Sequence, residues 1–241
     1  MTSANGTARR RAATVVGGLA ALHVLPAATW LPPVRRLAPQ LASPMPAGTL
    51  AVTFDDGPHP DGTLAVLDRL DDLGWPATFF MLGSAARRYP TVAREVAARG
   101  HAVGVHGLEH RYLLGRTPRA TWRDLQQAKE TIEAVTSVEV RWWRPPYGVL
   151  STAGLLAARR LGLRPLLWST WAKDWTATAT AQTVVATLMR GRVDGGVALL
   201  HDSDVTSSAG SWRATAGALE LLARNLAAND IDVRPLPAAQ P

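Results

Sequence analysis

Five short apolar runs in this chain each lead to a residue that is costly to bury, and the stretches between them read as helices. Thr49-Leu50-Ala51-Val52-Thr53-Phe54 ends on Asp55-Asp56-Gly57-Pro58, and His101-Ala102-Val103-Gly104-Val105 ends on His106. Arg141-Trp142-Trp143 ends on Arg144-Pro145-Pro146-Tyr147, Leu166-Leu167-Trp168 leads to Asp174-Trp175, and Val197-Ala198-Leu199-Leu200 ends on His201. Between the first run and a strand over 77–82, stopped by Gly83, Leu64, Val66, Leu67, Leu70 and Leu73 share one helical face. Further helices are expected over 91–98, over 119–135 after the cap and helix-start proline Thr117-Pro118, from Ser151 to about 161, and over 182–189 and 212–229. A strand is expected over 164–168. Strand-then-helix repetition predicts an α/β fold with a parallel sheet curled into a barrel, whose functional residues gather at the C-terminal strand ends.

The residues at those ends suggest chemistry. Adjacent carboxylates such as Asp55 and Asp56 repel and persist best when a cation neutralises one of them, although Asp-Gly-Pro is also turn chemistry. His106 and His110, four apart, together with a carboxylate from elsewhere, form a ligand set suited to a zinc-type centre with an open position. His106-Gly107-Leu108-Glu109-His110 also fits the inverzincin protease pattern, in which both histidines sit on a helix. The strand-like residues before His106 and the glycine at 107 disfavour that helix. Arg144 is a fixed cation able to pair with an aspartate, Asp174 lies among aromatic neighbours, and His201 ends a buried run.

Taken in order, Thr53-Phe54-Asp55-Asp56-Gly57-Pro58, the two histidines, Arg144-Pro145-Pro146-Tyr147, Asp174-Trp175 and Leu199-Leu200-His201 resemble the polysaccharide deacetylase family, the NodB-homology or carbohydrate esterase family 4 domain. The resemblance implies a distorted (β/α) barrel as a single domain. It implies one divalent metal, zinc first, with cobalt, manganese or nickel as alternatives, held by Asp56, His106 and His110. It assigns Asp55 as general base beside Arg144, Tyr147 as the backbone donor to the oxyanion, and His201 as the acid oriented by Asp174. Leu199 and Trp175 would wall the acetyl pocket. The implied reaction is removal of N-acetyl, or O-acetyl, groups from an amino-sugar polymer or oligomer such as peptidoglycan or chitooligosaccharide. Alternatives are a related metal-dependent amide hydrolase on a non-sugar substrate and a catalytically lapsed wall-binding module. Two positions depart from the family pattern: Gly107 stands where a Ser or Thr hydroxyl would steady the metal loop, and Trp171 where an aspartate would open Asp-x-x-Asp-Trp.

At 241 residues with 47% apolar content the chain can bury one sizeable core, and no internal repeat is visible. The net charge of +7 is almost entirely arginine, since Lys129 and Lys173 are the only lysines, and no nucleic-acid-binding motif accompanies it. Arg9-Arg10-Arg11 followed by an apolar stretch over 12–31 has the order of an export signal or membrane anchor. Residues 32–47, rich in Pro and Arg, read as a loosely packed linker, 48–236 as the catalytic domain and 237–241 as a tail. The expected protein is a monomer in the cell envelope, membrane-anchored or secreted, with the cytoplasm as the alternative location, acting on acetylated carbohydrate and not on nucleic acid.

Overall fold

The structure, a computed structural model, describes residues 14 and 17–237; the basic run at 9–11 and residues 238–241 of the expected tail lie outside the described residues. Eight strands form one parallel sheet: β1 Thr49–Asp55, β2 Thr78–Leu82, β3 Ala102–Gly107, β4 Trp142–Trp143, β5 Arg164–Pro165, β6 Thr170–Trp171, β7 Gly196–His201 and β8 Asp232–Val233. Their order is β5-β4-β3-β2-β1-β7-β6, with β8 paired to the start of β1. The sheet curls without a recorded pairing between β5 and β6, so the barrel is open there among the described residues.

Alternation along β1 decides what each face carries. Leu50, Val52 and Phe54 join the main core, where Phe54 stacks on Phe79 at 5.0 Å. Each such fully buried side chain contributes about 1.5–3 kcal/mol. Thr53 and Asp55 take the opposite face with Ala51, toward the concave interior. The register places Asp55 beside His201 on β7 and beside Phe80 on β2. The helices between strands begin where the caps predict. Thr117 accepts from Ala120 N to open Pro118–Thr136, Ser151 accepts from Gly154 N to open Thr152–Arg160, and Thr180 with Thr183 makes a capping box at Ala181–Leu188.

Three local expectations change. The strand over 164–168 stops at Pro165 because the next carbonyls serve the arginine: Arg144 donates from Nε to Leu166 O (3.4 Å) and from Nη2 to Leu167 O (3.0 Å). The chain pairs again only at β6, a strand the sequence did not signal. Gly83 ends β2 but also starts a helix, Gly83–Arg88. Residues 32–47 are docked rather than loose. Ala42 and Met45 are buried, and Leu167 N donates to Leu41 O. Arg35 bonds to the carbonyls of Thr29, Trp30 and Trp168. No helix among the described residues is long and apolar enough to cross a membrane.

Candidate active site

The strand ends converge on one cleft of about 270 Å³, lined by Asp55, Asp56, His106, His110, Tyr147, Trp175, Leu199 and His201. Arg144 and Asp174, both essentially unexposed, stand directly behind it.

Asp56 leaves β1 with φ 77°, a left-handed conformation that costs a non-glycine residue energy and is held by its surroundings. The Thr206 hydroxyl donates to its Oδ2. Its Oδ1 is buried, has no hydrogen-bond partner, and lies 3.4 Å from His106 Nε2 and 3.7 Å from His110 Nε2. His106 Nδ1 is 2.8 Å from Arg144 O. A carbonyl can only accept, so Nδ1 carries the proton and Nε2 turns a lone pair toward the carboxylate oxygen. Burial, above all, then drives His106 down to about 3, against the pull of Asp56, so the ring is neutral. Two acceptors facing each other without a proton between them fit a cation. Among the described residues these three donor atoms lie within 4.8 Å of one another.

Asp55 is the second half of the carboxylate pair. Arg144 Nη1 donates to Asp55 Oδ1 (2.7 Å) and to Thr53 Oγ1 (2.8 Å), and its guanidinium covers the Phe80 ring at 4.1 Å. Burial raises the Asp55 carboxyl above its ordinary range, with Arg144 and then His201 pulling it back. Burial likewise lowers Arg144, which Asp55 opposes. The result is a carboxylate of raised proton affinity, chemically suited to accept a proton.

Opposite lies a histidine–aspartate pair. His201 Nδ1 is 2.9 Å from Asp174 Oδ1, while Asp174 Oδ2 accepts from His201 N (2.7 Å) and from Thr215 Oγ1 (2.7 Å). Burial would lower this imidazole. The charge and hydrogen bond of Asp174, then the charges of Asp56 and Asp55, raise it to about 9. Trp175 meets the His201 ring edge-on at 5.3 Å, and Leu199 sits two residues earlier on β7. Tyr147, at φ 60°, projects from the turn after Pro146 and packs its ring on His110 at 4.3 Å.

Sequence reasoning missed the supports. Thr206 and Thr215 are single threonines without a pattern. Asp124 accepts from Leu108 N (3.0 Å), pairs with Arg116 (3.1 Å), and so steadies the histidine loop at the point where Gly107 offers no hydroxyl. Asp202, beside His201, is buried, and burial pushes it up to about 7. Its neighbourhood with the predicted acid was visible in the sequence, its burial was not.

Known proteins are similar to this chain in sequence and in fold. The chitooligosaccharide deacetylase of Azorhizobium caulinodans is 35% identical over 176 residues, covering 73% of this chain and 83% of that protein. The peptidoglycan-N-acetylglucosamine deacetylase of Bacillus cereus is 33% identical over 156 residues, covering 64% and 72%. The crystal structure of the Bc1960 peptidoglycan N-acetylglucosamine deacetylase superimposes with a TM-score of 0.75 at 25% identity, covering 83% of this chain and 91% of that one. The polysaccharide deacetylase family itself matches residues 42–166, a span that holds the carboxylate pair, both histidines and Arg144. With sequence, fold and strand-end chemistry in agreement, this chain belongs to the polysaccharide deacetylase family and is a hydrolase of that kind.

Proposed function

We propose that the protein removes N-acetyl groups from N-acetylglucosamine units of chitooligosaccharide or peptidoglycan, using one divalent metal held by Asp56, His106 and His110. The observation that carries this reading is the unpartnered Asp56 Oδ1 facing two imidazoles, with a buried base on one side and a protonated histidine on the other. A bound divalent ion supplies Lewis acidity, which polarises the acetyl carbonyl and makes water a better nucleophile. Two imidazoles and a carboxylate suit zinc, with cobalt, manganese or nickel as alternatives.

The chain's own groups supply the rest. Asp55 Oδ2, the oxygen not bonded to Arg144, accepts the proton of the attacking water; its raised affinity favours that transfer. The backbone N–H of Tyr147 meets the negative charge that develops on the carbonyl oxygen. His201 gives its proton to the departing nitrogen as the C–N bond breaks, yielding acetate and a free amine. Asp174 holds that imidazole in orientation and keeps it charged. Leu199 and Trp175 close the space around the acetyl methyl.

The same reading places the enzyme in the cell envelope as a monomer, against or tethered to the membrane. Residues 1–54 contain five arginines and no acidic residue, and Leu19, Leu22, Leu25 and Leu31 are each more than half exposed. Basic charge carried in the same stretch of sequence as exposed apolar side chains suits an anionic lipid surface. The test is acetate release by the full chain from chitooligosaccharides and peptidoglycan fragments, with chelator and then with re-added metal. Release that stops with chelator and returns with a divalent ion is expected; release indifferent to both overturns the metal assignment, and no release from either substrate overturns the function.

A further inference from the structure

Trp30 lies outside the span matched by the family, yet its side chain lines the catalytic cleft. It closes the 3-10 helix Leu25–Trp30 and is 50% exposed, whereas most tryptophans near the site are buried or half-buried. Its position is fixed by Arg35, which donates to the carbonyls of Thr29 (2.9 Å), Trp30 (3.4 Å) and Trp168 (3.2 Å) and stacks its guanidinium on the Trp168 ring at 5.3 Å. One arginine therefore ties the N-terminal strap to the wall of the cleft.

That wall is a ladder of indoles leading away from His201. Trp175 stands 5.3 Å from His201, Trp171 stands 5.2 Å from Trp175, and Trp168 stands 6.3 Å from Trp171. Trp171 occupies the position where the sequence motif leads one to expect an aspartate. Its indole makes the ladder continuous, and Trp30 adds a fourth ring to the same cleft.

We propose that Trp30 and Trp171 form a stacking subsite for a pyranose ring at least two units along the polymer from the one being deacetylated, beyond the reach of a disaccharide. A pyranose offers an apolar C–H face and a hydroxyl rim, and a wide indole face in a half-open cleft complements the former while leaving the latter in water. The strap is then a part of the substrate site contributed from the segment before β1, and Arg35 is its positioning residue. This subsite rests on the deacetylase reading above.

The experiment compares chitobiose with chitotetraose on the full chain carrying Trp30→Ala, Trp30→Phe or Arg35→Ala. Trp30 is half exposed, so its truncation leaves the core intact. Trp30→Ala is expected to raise KM for the tetrasaccharide about three- to tenfold with kcat little changed, and to leave KM for the disaccharide alone. Trp30→Phe is expected to recover most of that loss, and Arg35→Ala to reproduce part of it. An unchanged KM for the tetrasaccharide, or the same rise with both substrates, overturns the subsite while leaving the deacetylase reading in place. Acetate release from neither oligosaccharide by the unaltered chain removes that reading and the subsite with it.

Discussion

Replacing Asp174 with asparagine isolates what the carboxylate does for His201. The asparagine is nearly isosteric, but its hydrogen bonds are constrained. The oxygen at the Oδ2 position accepts from both His201 N and Thr215 Oγ1, so the amide oxygen must stay there. The amide NH2 then faces His201 Nδ1, where it donates instead of accepting and opposes a proton on that nitrogen. The burial that lowers the imidazole remains while the largest upward contribution is gone, so His201 falls from about 9 to its ordinary 6.5 or below. The acid must be protonated to serve the leaving nitrogen, so activity falls as pH rises through this pKa. At pH 8 the charged fraction drops from about nine-tenths to about one-thirtieth, a loss of about thirtyfold in kcat/KM. Below about pH 6 that part of the loss disappears. The assay is a pH–rate profile of acetate release for both proteins with metal saturating. An alkaline limb at the same pH in D174N refutes the assignment of His201 as an acid poised by Asp174.

Other expectations follow from the same geometry. Asp55→Asn is expected to abolish turnover while metal stoichiometry stays at one, whereas His106→Ala loses the metal as well, both measured by elemental analysis after dialysis. Arg144→Met leaves Asp55 buried without its cation and is expected to lower unfolding stability by about 3–5 kcal/mol in urea titration. Gly107→Ser, the reversion toward the family pattern, is expected to cost about 1–3 kcal/mol and to weaken metal binding, because Gly107 has φ 130° and a new Cβ would sit 3.2 Å from Glu109 O. Asp202 has a raised pKa, so its contribution to stability is fully present below the ordinary 3.8 and is lost as pH rises through about 7. Asp202→Asn cannot ionise, and its stability relative to the unaltered chain should climb across that window.

What the sequence made legible was whatever one segment declares by itself. β1, β3 and β7 are largely apolar runs, long enough to read, and the carboxylates and histidines that end them could be assembled into one candidate site from the sequence alone. The helices after Thr117 and Ser151 announce themselves through caps. β4, β5 and β6 are two-residue strands, and what interrupts the run between β5 and β6 is the buried Arg144 reaching over from the end of β4. Thr206 on Asp56, Thr215 on Asp174 and Asp124 on Leu108 are partners separated by 150, 41 and 16 residues, so only the fold selects them from the other threonines and acids. The docked stretch 32–47 was missed for a related reason. Proline and arginine composition describes a solvated linker equally well, and the distinction rests on long-range partners: Arg35 on Trp168 O, Leu167 N on Leu41 O, and the burial of Ala42 and Met45.

The buried charges also support Asp56, rather than its neighbour, as the proposed carboxylate ligand of a metal. Four aspartates, at 55, 56, 174 and 202, are essentially inaccessible around one cleft. Asp55 has Arg144 at 2.7 Å, and Asp174 has His201 at 2.9 Å, so each faces a cation across a charge-assisted hydrogen bond. Asp202 meets burial differently, by holding its proton up to about pH 7. Among the described residues Asp56 receives only the Thr206 hydroxyl on one oxygen, and its other oxygen faces His110 and the ring nitrogen of His106, which burial keeps neutral. An unpaired carboxylate costs several kcal/mol in such surroundings, and its left-handed backbone adds to that cost. Among the described residues the Thr206 hydroxyl and the nearby charge of His201 offset this only in part, whereas a divalent cation among Asp56, His106 and His110 would offset it directly. The departure at Gly107 fits the same logic: support for the histidine loop has moved from a hydroxyl on the loop to the Asp124 carboxylate on the helix Pro118–Thr136, while the donor set itself is intact.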